Sequence, residues 1–141
     1  MSALTRFFFR HDLVAAPTTT QTIAWWESRR PAYNLAVGAT GLVSLAITNL
    51  LCWLPPHSSP LPWQADIMVP LIYGALANLF YTFGAPAELA VRKWLGDDMS
   101  PVGPAIFRYG FAFSIGLTLL PTVIAFGSWL IRIAVATTRG A

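Results

Sequence analysis

Charged side chains leave three long gaps in this chain. No Asp, Glu, Lys or Arg occurs from Tyr33 to Leu54, from Ile67 to Ala87 or from Tyr109 to Ile131. Wound as helices at 1.5 Å per residue, these runs would measure about 30–35 Å, the thickness of a bilayer's hydrocarbon core. Backbone polar groups in hydrocarbon must pair internally, which admits only helices or closed barrels. Barrel strands alternate in polarity over about ten residues, and these runs are too long and too continuous for that. The pattern therefore predicts an all-α membrane protein with three transmembrane helices, at about 32–54, 66–87 and 105–133. They belong to one membrane domain over 1–141, with a cytoplasmic or interfacial arm over 1–30.

Prolines and glycines punctuate the pattern. Thr22 is a candidate N-cap for a pre-span element from Ile23 to Arg30, expected to lie on the membrane surface. Pro31 suits the first turn of span one. Pro55, Pro56, Pro60 and Pro62 make the first loop a stiff, short connection. Gly84 and Pro86 interrupt span two, and Glu88 to Leu95 continues as an amphipathic segment that Gly96 can terminate. Asp97, Asp98, Pro101, Gly103 and Pro104 form the next turn. Pro121 in the middle of span three predicts a kink or locally open backbone.

Charge then orients the helices. With the N-terminus inside, Arg6, Arg10, Arg29, Arg30, Arg92, Lys93 and Arg108 share the cytoplasmic side, and only Arg132 and Arg139 lie opposite. Seven against two predicts N-in/C-out by the positive-inside rule. Tryptophans agree: Trp25, Trp26 and Trp94 fall at the inner interface, and Trp53, Trp63 and Trp129 at the outer, where amphipathic indoles settle. The segment before Pro17 lacks the apolar core of a secretory signal peptide. Its Phe7, Phe8 and Phe9, flanked by Arg6 and Arg10, suit a lipid anchor or a docking contact.

Within the spans, small and polar residues recur every fourth position. Span one lines up Ala36, Thr40, Ser44 and Thr48; span two Gly74, Asn78 and Thr82; span three Gly110, Ser114, Thr118 and Thr122. Because lipid is as apolar as leucine, helices associate through close backbone approach and interhelical hydrogen bonds, so these faces should point inward in a tight bundle. The sharper possibility is that they line a cavity, a lipid slot or a subunit interface. Asn78, the one amide clearly inside the hydrocarbon, is either packing glue or, with Tyr73 and Tyr81, part of a polar ligand site.

The densest polar chemistry lies at the inner interface: Glu27, Arg29, Arg30, Tyr33 and Asn34 before span one, Glu88, Arg92 and Lys93 after span two, Arg108 before span three. Glu27 and Arg30 share a helix face at spacing three, Glu88 and Arg92 at spacing four. Beyond positive-inside topology with local ion pairs, these groups could gather into one cluster gripping an anionic lipid headgroup or a partner's loop.

Composition narrows the functions. Of 141 residues, 55% are hydrophobic and 11% charged, against the roughly one quarter charged usual in soluble domains. The net charge of +3 is confined to span ends, without a basic stripe carrying exposed aromatics, so no nucleic-acid partner is expected. No ionisable residue occupies the middle third of a span, which disfavours a proton relay. His11 and His57 fall on opposite sides, and Cys52 stands alone, so neither a haem pair nor a cysteine or zinc cluster is expected. Asp97 with Asp98, and Ser58 and Ser59 beside His57, lack the further groups that metal or nucleophilic catalysis needs.

The run Trp26, Glu27, Arg29, Arg30, Tyr33 and Asn34, followed by Ala77-Asn78-Leu79, Tyr81, Gly84 and Glu88, resembles a group of small uncharacterised bacterial inner-membrane proteins with a W-E-x-R-R-x-x-Y-N motif before the first span. The resemblance covers about a third of the chain and implies a multi-pass protein of the bacterial inner (cytoplasmic) membrane, with no activity attached. Pro86 departs from that pattern and makes a straight span two unexpected.

These features describe a non-catalytic integral membrane accessory or scaffold subunit of a larger membrane complex. Its expected partners are anionic lipid headgroups and other integral membrane subunits. The lipid- and partner-facing set is Glu27, Arg29, Arg30, Tyr33, Asn34, Glu88, Arg92 and Arg108, and the intramembrane packing set is Thr40, Ser44, Asn78, Tyr81, Ser114 and Thr118. A small homo-oligomeric channel or transporter is the alternative, and a lipid-modifying enzyme a third reading. Interfacial aromatics would also suit a pigment or quinone, but they are ordinary belt residues, so no cofactor and no metal are expected.

Overall fold

The structure, a computed structural model, describes residues 7–8, 17–59, 62–96 and 102–139. Arg6, Phe9, Arg10, His11, Pro60, Asp97, Asp98 and Pro101 lie outside them. The main elements are five α-helices: α1 (Thr19–Glu27), α2 (Arg30–Trp53), α3 (Trp63–Thr82), α4 (Gly84–Leu95) and α5 (Val102–Arg139). No strand occurs among the described residues. Taken with their near-continuous neighbours, they form three helical stretches long and apolar enough to cross a membrane: Thr19–Trp53, Trp63–Leu95 and Val102–Arg139.

Local chemistry fixes the boundaries. α1 starts four residues before the expected element, because Thr18 rather than Thr22 is its N-cap. The Thr18 hydroxyl accepts from the Gln21 amide at 3.3 Å and the Gln21 side chain accepts from the Thr18 amide at 2.9 Å. This reciprocal box needs an amide or carboxylate three positions on. Thr22 has Trp25 there instead and lies fully buried inside the helix. Ser28 and Arg29 form the bend, and Pro31 sits in the first turn of α2, where a missing N–H costs nothing.

Span two divides as its glycine and proline suggest, with the break at Phe83. Pro86 cannot donate to Thr82, four residues back, and its ring would crowd that carbonyl in an unbroken helix. α3 therefore ends at Thr82 and α4 restarts at Gly84, with Pro86 in its first turn. Gly96 ends α4 at φ 86°, its amide bonded to the Arg92 carbonyl at 2.9 Å. Only glycine takes that backbone without strain. α5 is longer than expected at both ends: it runs 38 residues, about 57 Å at the usual rise. It continues through Pro121, as α3 continues through Pro70.

The chain forms two compact units, Met1–Leu35 with Ala75–Ser114, and Ala36–Gly74 with Ile115–Ala141. In the second, Ser44, Val37, Leu51 and Thr118 are buried. Three-helix packing there is stitched by hydroxyls. Ser44 and Thr122 share a 2.8 Å hydrogen bond, Thr122 also reaches the Ser44 carbonyl at 3.3 Å, and Tyr73 pairs with Thr118 at 2.8 Å. Gly41 lies against the Thr118 methyl group, where an added Cβ would make ordinary contact at 3.7 Å. At the C-terminal end of α2, Arg132 donates to the carbonyls of Leu51 (2.8 Å) and Pro56 (3.0 Å), and the Trp129 indole donates to Pro55. A cation there complements the negative end of the helix dipole and satisfies orphan carbonyls. Thr40 and Thr48 are half-buried, and the Thr48 hydroxyl has no hydrogen-bond partner. The small-residue face of span one is thus turned inward around Ser44.

Candidate functional site

The first unit holds all eight residues expected at the lipid- or partner-facing site, and it also holds an aromatic core that the sequence did not announce. Phe107, Tyr33, Trp26 and Tyr81 are each at least nine-tenths buried. Trp26 meets Tyr81 edge-on at 5.6 Å and Phe107 at 5.8 Å, while Tyr33 and Tyr81 lie 4.5 Å apart. Edge-on pairs set the positive rim of one ring against the negative face of the next, adding about 0.5–1.5 kcal/mol each beyond area burial. Trp26 is thus a core residue and not a member of the interfacial belt. Trp94, Trp53 and Trp63 remain exposed as belt residues would be. Phe7 and Phe8 pack on Phe107 and Phe111, so in this structure they dock on their own chain rather than stand free as an anchor.

Glu88 lies at the centre, fully buried. Its Oε2 accepts from the Trp26 indole at 2.8 Å and its Oε1 from Arg92 at 2.5 Å. A carboxylate taken out of water needs such partners, because desolvation costs several kcal/mol per ion. α1 brings Trp26, α4 brings Glu88 and Arg92, and the first turn of α5 closes over them at Gly103. A methyl group on Gly103 would collide with the Glu88 carboxylate, and one on Gly84 with the Trp26 ring. The two glycines are the openings that let α5 and α4 approach these side chains.

The other charged residues are also turned onto the chain. Arg30 makes a two-pronged pair with Glu27 (2.7 and 2.6 Å), donates to the Thr82 hydroxyl at 3.3 Å and lies 4.9 Å over the Tyr81 ring. Arg29 stacks 3.9 Å over Trp25 and donates to the carbonyls of Phe7 and Trp25. Arg92 reaches the Pro17 carbonyl as well, and Arg108 the Pro104 carbonyl at 3.3 Å. Both local pairs expected from spacing, Glu27 with Arg30 and Glu88 with Arg92, are present. They form two separate pairs, one exposed and one buried, instead of a single outward cluster, because the Trp26 indole draws Glu88 into the core. Asn34 is exposed and joins neither.

The packing residues of this unit behave unevenly. Tyr33 and Ser114 share a hydrogen bond at 3.0 Å, and Tyr81 donates to the Trp26 carbonyl at 2.7 Å. Asn78 is half-buried, and its carbonyl accepts from Thr82. Beside these groups a cleft of about 210 Å³ is walled by Trp26, Tyr33, Phe80, Tyr81, Phe107, Phe111 and Phe113, with Gly110 and Ser114 at its side. Periodicity could not reveal it, since its walls come from four helices, α1, α2, α3 and α5. The only hint was the density of aromatics near span ends. Among the described residues no three His, Cys, Asp or Glu side chains converge as a metal site would require.

No known protein family, curated protein or solved structure matches the chain.

Proposed function

We propose that this chain is a non-catalytic accessory or scaffold subunit of a larger assembly in the bacterial inner membrane, inserted N-in/C-out and held by anionic lipid and by other membrane subunits. The observation that carries the reading is where the charged groups point. Glu88, Arg92, Glu27, Arg30 and Arg29 are engaged in tying helices and helix ends together. Many large apolar side chains, among them Leu42, Leu71, Ile72, Phe80, Val123 and Ile124, point outward. A body stiffened inside and apolar outside is suited to being packed against by lipid and by neighbouring helices. The surplus of Arg and Lys at one set of span ends supports the orientation.

Native mass spectrometry of the protein gently extracted from its host membrane tests this. A defined complex with other membrane proteins is the expected result. A closed homo-oligomer would overturn it in favour of a channel built on the Thr40, Asn78 and Thr118 faces. Reporter fusions at the C-terminus test orientation separately, with an external C-terminus expected.

A further inference from the structure

We infer that the aromatic cleft of the first unit seats one acyl chain of a phospholipid whose phosphate lies against Arg30. This deepens the anionic-lipid part of the function proposed above and rests on it. The first argument is the chemistry of the lining. Trp26 donates its indole N–H to Glu88 and Tyr81 its hydroxyl to the Trp26 carbonyl. Ser114 lies 2.8 Å from the Gly110 carbonyl and 3.0 Å from the Tyr33 hydroxyl, which itself lies 3.4 Å from the Ala77 carbonyl. However the two hydroxyl protons are shared, both are directed at these protein oxygens. The cleft therefore presents no donor to a ligand carbonyl, which disfavours a quinone or a peptide and suits plain hydrocarbon.

The second argument is place and charge. The helices that wall the cleft belong to three stretches long and apolar enough to cross a membrane, an arrangement that would bring hydrocarbon chains within reach of its mouth. Its volume of about 210 Å³ exceeds the roughly 150 Å³ of an engineered apolar cavity that takes up benzene. Arg30 lies over the ring of Tyr81, one of the lining residues, without lining the cleft itself. Glu27 takes two of its five N–H groups and Thr82 two more, which leaves a charge-assisted donor for a phosphate oxygen. By sequence the unit carries seven Arg and Lys against five Asp and Glu. That surplus complements a phosphate.

Gly110 gives the test its handle. It lines the cleft, and a Cβ there would meet nothing within 4 Å. Gly110→Phe should fill the space that the chain occupies. Gly116→Phe, on the same helix with equally open surroundings and outside the lining, is the control. The proteins are delipidated, reloaded from vesicles of phosphatidylglycerol and phosphatidylethanolamine in equal parts, and weighed by native mass spectrometry. The wild type and Gly116→Phe should retain one phospholipid, and Gly110→Phe should lose it at least tenfold. Arg30→Gln should keep a lipid but lose the preference for phosphatidylglycerol. Gly110→Leu replaces the Phe variant if the latter does not fold.

Equal lipid retention by the Gly110 variants, or none in the wild type, overturns the acyl-chain site. An unchanged headgroup preference in Arg30→Gln overturns the phosphate contact. A wild-type dimer that Gly110→Phe splits would assign the cleft to a second copy instead. Subunits co-purifying from the host membrane are read independently of this lipid, so either inference can fail alone.

Discussion

The Trp26 indole donates a 2.8 Å hydrogen bond to Oε2 of Glu88, 62 positions along the chain, with the tryptophan 4% exposed and the carboxylate not exposed at all. This contact joins α1 to α4, and Arg92 completes it from the next turn of α4. Bonds to a buried charged acceptor are worth more than neutral ones, about 1.5–3 kcal/mol. Trp26→Phe, which keeps most of the ring and removes the N–H, should lower stability by about that amount. Thermal unfolding in detergent would measure it, with Trp94→Phe at an exposed position as the near-silent comparison. Equal melting of the two variants would mean that the bond is not formed.

The Glu88–Arg92 pair should show the asymmetry of buried ions. Arg92→Met leaves a carboxylate in the core with one partner gone, a loss of about 3 kcal/mol. This is the low end of the usual range because the Arg92 side chain keeps 12% exposure. The double variant Glu88→Leu/Arg92→Met removes both charges and should be less damaging than the two single changes added together, with the lost Trp26 bond as its remaining cost. A double change as damaging as the sum of the singles would show that the two side chains do not act as a pair.

Two glycines of α5 should respond in opposite directions to alanine. At Gly103 the added methyl collides with the Glu88 carboxylate, and overpacking of this kind costs about 1–3 kcal/mol. At Gly127 the methyl meets nothing, and the change should be neutral or stabilising by up to about 1 kcal/mol, the propensity difference in a helix. Parallel melting curves of the two variants decide it. Equal effects would remove the close approach of α5 to Glu88 from the account.

In the second unit the Ser44–Thr122 bond should behave as an ordinary interhelical hydrogen bond in a membrane protein. Ser44→Ala and Thr122→Val should each cost about 0.5–2 kcal/mol, with a positive coupling between them in a double-mutant cycle. Strictly additive effects would mean that the hydroxyls do not meet.

The sequence by itself determined how many times the chain runs through apolar lengths, where those runs stop and which spacings pair, because each depends on residues within a few turns of one another. Uncharged length announced the three spans, Gly84 and Pro86 announced the break in the second, and spacings of three and four announced Glu27 with Arg30 and Glu88 with Arg92. The capping residue was missed by one helical turn, since Thr18 and Thr22 differ only in what stands three positions beyond them.

Only the tertiary structure decided that Trp26 is core instead of belt, that Glu88 is buried, that Gly103 and Gly84 are the spaces for these two side chains, and that the aromatics of four helices line a cleft. Such facts depend on which helix faces meet across tens of residues of sequence. In a chain where apolar residues cover both the inward and the lipid-facing sides of each helix, hydrophobic periodicity does not mark the meeting face.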